Sequence, residues 1–327
     1  MRKRRVFRIA SVVAMICLVA MSHALYAQRS EEPEDIWPRK GETKYSERHI
    51  RPAAVSGPFY PSNPLLLQRQ VDNFLARAER KKLKGDLVAL IAPHAGYIYS
   101  GQVAAYSYKL TEGLHFDTVI LIGPSHWYYL KGASVYNHGY YKTPLGIVEV
   151  DSGLASRIIE EDPRISFIPA AHTREHSLEV QFPFLQRTLK DFKVVPILIS
   201  DPTLKNCRIL ADAITKNIKG RSVLMVASTD LSHYQPYDEA CKLDRITLEA
   251  IAGLNPEEVT RKGDLCGKAA VLATLLAAKE LGADRARILK YANSGDTAGL
   301  KDGVVGYGAV VIYKSHRDKG GNKEMSK

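Results

Sequence analysis

The chain carries no glycine-rich phosphate loop and no dinucleotide fingerprint, which leaves the nucleotide-dependent enzyme classes without a motif. Its N-terminal apolar run, residues 9–21, is about 13 residues or roughly 20 Å as a helix, too short to stay across a hydrocarbon core of about 30 Å. Cysteine is scarce: four residues in 327, of which Cys17 lies in that run. Cys207, Cys241 and Cys266 remain, an odd number that leaves at least one thiol without a disulfide partner in an oxidising compartment. Lys and Arg are numerous but spread out. The net charge is +11, yet five positive charges fall in residues 1–27 and five against two negative in residues 314–327, which leaves the body near +3. No dense basic patch with interleaved aromatics results, so nucleic acid is excluded as a partner class. There is no internal repeat and no second linker, which excludes a multidomain array.

The N-terminus is read by what surrounds the short apolar run. Arg2, Lys3, Arg4, Arg5 and Arg8 precede it and small residues around Ala24 and Ala27 follow, the layout of a secretory signal. The expected location is therefore exported, periplasmic or secreted, with membrane contact only through that signal. Arg4-Arg5-Val6-Phe7 partly fits a twin-arginine route. Residues 28–50 are polar, with Pro33 and Pro38, and read as a linker. Residues 51–313 are globular in composition, roughly 260 residues and enough for one well-buried core. Residues 314–327 read as a disordered basic tail.

The domain is organised around residues 87–127. Two runs, LVALIAPHAGY and TVILIGPSHW, are apolar at consecutive positions and stop at Pro93 and Pro124, each closely followed by a histidine. Consecutive apolar residues suit strands covered on both faces, as in a parallel sheet. Residues 101–110 between them have helical spacing. A strand–helix–strand crossover makes the strands parallel and puts His94 and His126 on one sheet edge, the edge at which open α/β sheets bind ligands. The plain alternative is two ordinary loop histidines; the matching P-H and P-S-H contexts argue for a shared site, with Ser125 and Tyr97 beside it.

Further segments feed the same edge. Residues 65–79 form an amphipathic helix, with Ser62 or Asn63 as cap and Pro64 in the first turn. Residues 132–150 are strand-rich, 151–161 helical, 192–200 a buried strand and 204–218 a helix. In AHTREHSLEVQFPF, His172 and His176 would share a helix face, the geometry of a two-histidine zinc site, but without the glutamate placement of a zinc-peptidase helix. The alternative is that Glu175, His176 and Glu179 cap and orient a helix beside the pocket, with Pro183 a kink. SVLMVA is another strand, and STDLSHY after it brings Asp230 and His233 to the edge. His233 suits general acid–base work near neutral pH; Asp230 could orient a metal-bound imidazole or accept a proton. Cys266 opens a long Ala/Leu-rich helix, whose free amides and dipole would lower the thiol's pKa and make it a ligand or nucleophile; the alternative is a buried, inert cysteine. Residues 244–252 and 256–262 are helical, and 287–293 and 304–313 complete the sheet. The loop of Ser294, Gly295, Asp296 and Thr297 lines the pocket or merely turns.

Two histidines with a thiolate or carboxylate, from separate loops, describe a mononuclear transition-metal site for Fe(II), Cu or Zn. The segments RPAAVSGPFYP, IAPHAGYIYSG, ILIGPSHW, EHSLEVQFPFL, ASTDLSHY, DLCGKAAV and YANSGD…GYGA, in this order over about residues 51–313, resemble the Memo family, called in prokaryotes AmmeMemoRadiSam system protein B. The resemblance implies a fold like that of class III extradiol ring-cleaving dioxygenases, a three-layer α/β/α arrangement around a largely parallel mixed sheet. It also implies a metal site of two histidines and a cysteine. Matched motif by motif, these are His94, His126 and Cys266, with His233 where the dioxygenases keep an acid–base histidine. Those dioxygenases have a glutamate where this chain has Cys266, and Trp127 stands where the animal form has a second histidine. The expectation is a metal-dependent oxidoreductase, holding Fe(II) or Cu first and Zn as alternative, acting on a small molecule of unspecified identity; the oligomeric state is left open. Two other readings stand beside it: a non-catalytic iron or copper binder, and a zinc hydrolase with His233 or Glu175 as base.

Overall fold

The computed structural model describes residues 49–316. The expected signal and nearly all of the linker and tail lie outside the described residues. In chain order the strands are β1 (Ile50–Arg51), β2 (Gly85–Ala92), β3 (Thr118–Gly123), β4 (Ala133–Val135), β5 (Tyr140–Thr143), β6 (Gly146–Glu149), β7 (Ile165–Ser166), β8 (Lys193–Ile199), β9 (Val223–Ser228), β10 (His233–Gln235), β11 (Arg285–Asn293) and β12 (Val304–Ser315). The helices are α1 (Pro64–Arg77), α2 (Tyr97–Tyr108), α3 (Ser152–Glu160), α4 (Pro169–Thr173), α5 (Phe182–Thr188), α6 (Leu204–Asn217), α7 (Tyr237–Ala252), α8 (Pro256–Lys262), α9 (Lys268–Glu280) and α10 (Ser294–Ala298).

Nine strands form one mixed sheet in the order β10-β12-β2-β9-β3-β8-β4-β7, with β11 also paired to β12; β1, β5 and β6 form a separate small sheet. The centre, β2, β9, β3 and β8, is parallel throughout. Every residue of β3 is buried, as a strand needs when paired on both sides and covered on both faces. One face carries Ile91, Ile120, Ile197 and Met225 against α6 and α9. The other meets α1, α2 and α5, where Phe74, Tyr97, Tyr108 and Phe184 form an aromatic cluster. The three-layer α/β/α arrangement expected from the sequence is the one observed. Asn63, not Ser62, caps α1, its side chain accepting from the amides of Leu65 and Leu66.

The crossover from β2 through α2 returns to β3 one strand away, and β9 fills the gap between them. The residues that follow β9 therefore emerge between the loops bearing His94 and His126. Periodicity could not reveal this insertion, because a βαβ unit reads the same whether its strands are neighbours or not.

Several expectations are corrected. Residues 171–184 are not one helix: α4 ends at Thr173, a 3₁₀ turn covers Glu179–Gln181, and α5 follows. The Glu175 carboxylate accepts from the amides of His176 and Ser177, at 2.9 and 2.8 Å, donors a continuing helix would pair with its own carbonyls. His172 and His176 therefore do not share a helix face. Pro183 makes no kink either; it lies in the first turn of α5, where a missing amide costs nothing. Ser294 to Thr297 is a short helix rather than a loop, capped by Asn293 and Asp296 in a capping box. Ile50 lies in β1, and β12 runs to Ser315. Cys207, Cys241 and Cys266 are all free thiols. Among the described residues no helix is long and apolar enough to cross a membrane.

Candidate metal centre

The carboxyl ends of β2, β3 and β9 and the turn before α9 supply the site. Donor atoms of His94, His126 and Cys266 lie within 4.8 Å of one another, and His94 Nε2 is 3.2 Å from Cys266 Sγ. His94 is buried, Cys266 half-buried and His126 exposed, so the site opens on the His126 side.

The hydrogen bonds fix which ring nitrogen is available. Ser228 Oγ donates its one proton to Ser177 O at 2.6 Å and accepts from Gln181 Nε2 at 2.9 Å. Its remaining lone pair, 3.0 Å from His94 Nδ1, can only accept, so Nδ1 carries the proton and Nε2 turns a lone pair toward the thiol. His126 Nδ1 donates to Glu175 Oε1 at 2.8 Å, because an ionised carboxylate only accepts. Both imidazoles thus keep Nε2 for a metal and have Nδ1 fixed by an acceptor, the arrangement that orients ligating histidines. The backbone is held as firmly: His94 N–H donates to Asp230 Oδ1 at 2.7 Å and His126 N–H to Glu175 Oε2 at 2.6 Å.

Burial, with the nearby His126, lowers the His94 pKa to about 3 and so keeps the ring neutral. Burial would raise the Glu175 carboxyl, but hydrogen bonding and charge from His126, with His176 and the Ser177 amide, hold it down at about 2. The Cys266 thiol is pushed up to about 12 by burial and then by the Asp230 carboxylate. This corrects the lowering expected from the helix start. Cys266 precedes the Gly267 cap of α9, outside its first turn, and the Asp230 amide at 3.3 Å does not outweigh desolvation. A metal would replace that proton, so binding would release it. Asp230 is itself raised by burial; its carboxylate orients the His94 backbone, while the ring is held by Ser228.

A second set, His126, Glu175 and His176, also lies within donor distance. Glu175 Oε1 already accepts from His126 Nδ1 and two amides, so this cluster orients rather than binds. His176 stacks on His126 with centroids 4.4 Å apart and meets His94 edge-on at 5.4 Å. His233, half-buried, donates from Nδ1 to Leu231 O at 2.8 Å, which leaves the lone pair on Nε2. Ser125 Oγ is buried without a hydrogen-bond partner. Tyr97, Ser294 and Asp296 are engaged elsewhere: the Tyr97 hydroxyl donates to Val180 O at 2.6 Å, Ser294 Oγ accepts from Val305 N, and Asp296 caps α10 and accepts from Tyr237. His172 lies buried between Ser134 Oγ and the Tyr141 hydroxyl. Ser228 and Gln181 carry one signal in the sequence, polarity at the end of an apolar strand and inside an apolar turn, which is too common to mark a site.

Gly267 lets the cysteine approach. A Cβ there would stand 2.5 Å from Ser228 O and 2.7 Å from Thr229 Cβ. We expect Gly267→Ala to cost about 1–3 kcal/mol of stability, as overpacking does, and to shift Cys266 from His94. Urea unfolding checks the first and thiol accessibility to a disulfide reagent the second.

A three-layer α/β fold whose sheet edge gathers two Nε2 donors and a thiol defines, as a class, an α/β protein with a candidate mononuclear metal centre. The model of the Memo-like protein family matches residues 51–311, and the chain belongs to that family. A MEMO1 family protein of Pyrobaculum aerophilum is 37% identical over 279 residues, covering 81% of this chain and 99% of its own. One from Saccharolobus solfataricus is 40% identical over 274 residues, covering 78% and 96%. Among solved structures, an uncharacterized protein from Escherichia coli K12 aligns with a TM-score of 0.48 at 16% identity, over 69% of this chain and 99% of that one.

Proposed function

We propose that this is an exported metal-dependent oxidoreductase that holds one transition-metal ion, Fe(II) or Cu, through His94, His126 and Cys266. The observation carrying the reading is the 3.2 Å approach of His94 Nε2 to Cys266 Sγ with both Nδ1 atoms fixed by acceptors. That donor set, two imidazoles and a sulfur, fits a borderline-soft transition ion and not magnesium or calcium. When bound, the metal would supply one-electron or Lewis-acid chemistry. The chain's own residues bind and orient: Ser228 and Glu175 fix the rings, Asp230 fixes the backbone beside His94, and His233 would move a proton through Nε2. Exposure of His126 on one side gives a small molecule its approach.

The test is metal content after purification without oxygen, for wild type and Cys266→Ala together. We expect near-stoichiometric iron or copper in the wild type and a large loss in the variant. Full metal retained by the double change His94→Ala/His126→Ala would end the site assignment. His233→Ala should keep its metal and lose turnover; a metal-loaded protein that turns over no phenolic or thiol substrate, even as wild type, would leave a metal binder without catalysis.

A further inference from the structure

Arg51 lies in β1, at the start of the described chain, and is 4% exposed. Its guanidinium stacks 4.8 Å over the Tyr141 ring and donates in three directions. Nη1 reaches Glu179 Oε2 at 2.6 Å and Pro52 O at 3.2 Å, Nε reaches His172 O at 2.8 Å, and Nη2 reaches Glu175 O at 2.6 Å. The two carbonyls of His172 and Glu175 bracket the turn in which the chain leaves α4. That turn carries the Glu175 carboxylate, which holds both the amide and the ring of His126.

We infer that Arg51 is a positioning residue for the metal centre, acting through Glu175 to aim His126 at His94 and Cys266. The inference rests on the metal reading above and extends it to a strand outside the main sheet. A guanidinium needed only to neutralise Glu179 would use one edge of its fork; here Nε and Nη2 are directed onto main-chain oxygens three residues apart. Lysine can meet the carboxylate but, as a single point donor, cannot bridge those two carbonyls as well. Glu175 is therefore placed by a rigid planar group, and the exposed ligand inherits that order. Phe59, from the same N-terminal segment, adds a ring contact to His176 at 4.8 Å.

Arg51→Lys tests this with an internal control. Two amides donate to buried carboxylates at the site: His126 to Glu175 and His94 to Asp230. In metal-free protein, NMR should show the His126 amide shifted and exchanging at least about 10-fold faster, with the His94 amide within about twofold of wild type. Titration with Co(II) should show an affinity about 10- to 100-fold lower, the usual effect of losing an outer partner of a ligand, with the thiolate-to-cobalt band retained. In a His126→Ala background the same change should have no further effect on Co(II) affinity, because the ring it acts through is gone. Unchanged His126 exchange, loosening of both amides together, or an additive loss in the His126→Ala background would each overturn the inference. A wild type that binds no Co(II) would refute the metal reading, and the amide comparison would still decide the role of Arg51. Should Arg51→Lys fail to fold, Arg51→Met/Glu179→Gln removes both charges and serves in the same measurements.

Discussion

His172→Gln should flatten the pH dependence of stability by about one proton between pH 6.5 and 3. The His172 pKa is lowered from 6.5 to about 3, first by burial and then by Arg51. Above pH 6.5 the ring is neutral in both folded and unfolded chains, and its contribution is fully present. Below that the unfolded chain binds a proton that the native ring refuses, so stability falls with falling pH by about 1.4 kcal/mol per unit until the loss is complete near pH 3. The total for His172 is on the order of 5 kcal/mol. His94 and His176 are lowered to about 3 as well, each chiefly by burial, and act in the same direction in the metal-free protein. Urea titrations from pH 7 to 4 measure the slope. The glutamine amide keeps a donor and an acceptor between Ser134 and Tyr141, so the slope, not the absolute stability, is the readout. A variant with the wild-type slope would show that His172 is protonated in the folded protein.

Glu179→Ala should be the most damaging single change outside the main sheet. The carboxylate accepts from Arg51 at 2.6 Å, the amides of Ala54 and Val55 at 2.7 and 2.9 Å, and the Tyr60 hydroxyl at 2.6 Å. Its side chain is fully buried and that of Arg51 is 3% exposed. Removing one partner leaves a guanidinium without its counter-charge in a dry site, a change that costs about 3–5 kcal/mol, and strands three further donors. For a domain of this size the melting temperature should fall by about 6–20 °C. Glu179→Gln, which keeps an acceptor, should recover part of the loss. Calorimetry of both variants checks the ranking; equal melting temperatures for wild type and Glu179→Ala would show that the pair contributes nothing.

These two residues mark where the sequence stopped being legible. The P-H and P-S-H stops named His94 and His126 because each local pattern, an apolar strand then a proline, has its own meaning. STDLSHY and DLCGKAAV placed Asp230, His233 and Cys266 at the same edge by the same logic. What failed was context carried by distant partners. The Cys266 thiol was expected to be acidic from its nearness to a helix start, whereas burial and Asp230 decide its state. His172 and His176 were aligned on a helix that Glu175 interrupts by capturing the local amides. Glu179 was legible only as a capping residue, since its main partner Arg51 lies 128 positions away. Ser228 gains its meaning only when Ser177 and Gln181 are set beside it.

The place of β12 has a consequence for the order of assembly. It follows every other described strand in the chain, yet it lies inside the main sheet, between β2 and the pair β10 and β11. β2 therefore has an open side until a segment more than 200 residues downstream arrives, with Ile91 meeting Val310. His94 and Cys266 are likewise separated by 172 positions. Such long-range closure makes folding slow relative to helical domains and leaves the partly made chain with single, scattered donors. A metal ion offered before the sheet closes would meet those donors one at a time. The donor set of His94, His126 and Cys266 is therefore complete only once the finished sheet is in place.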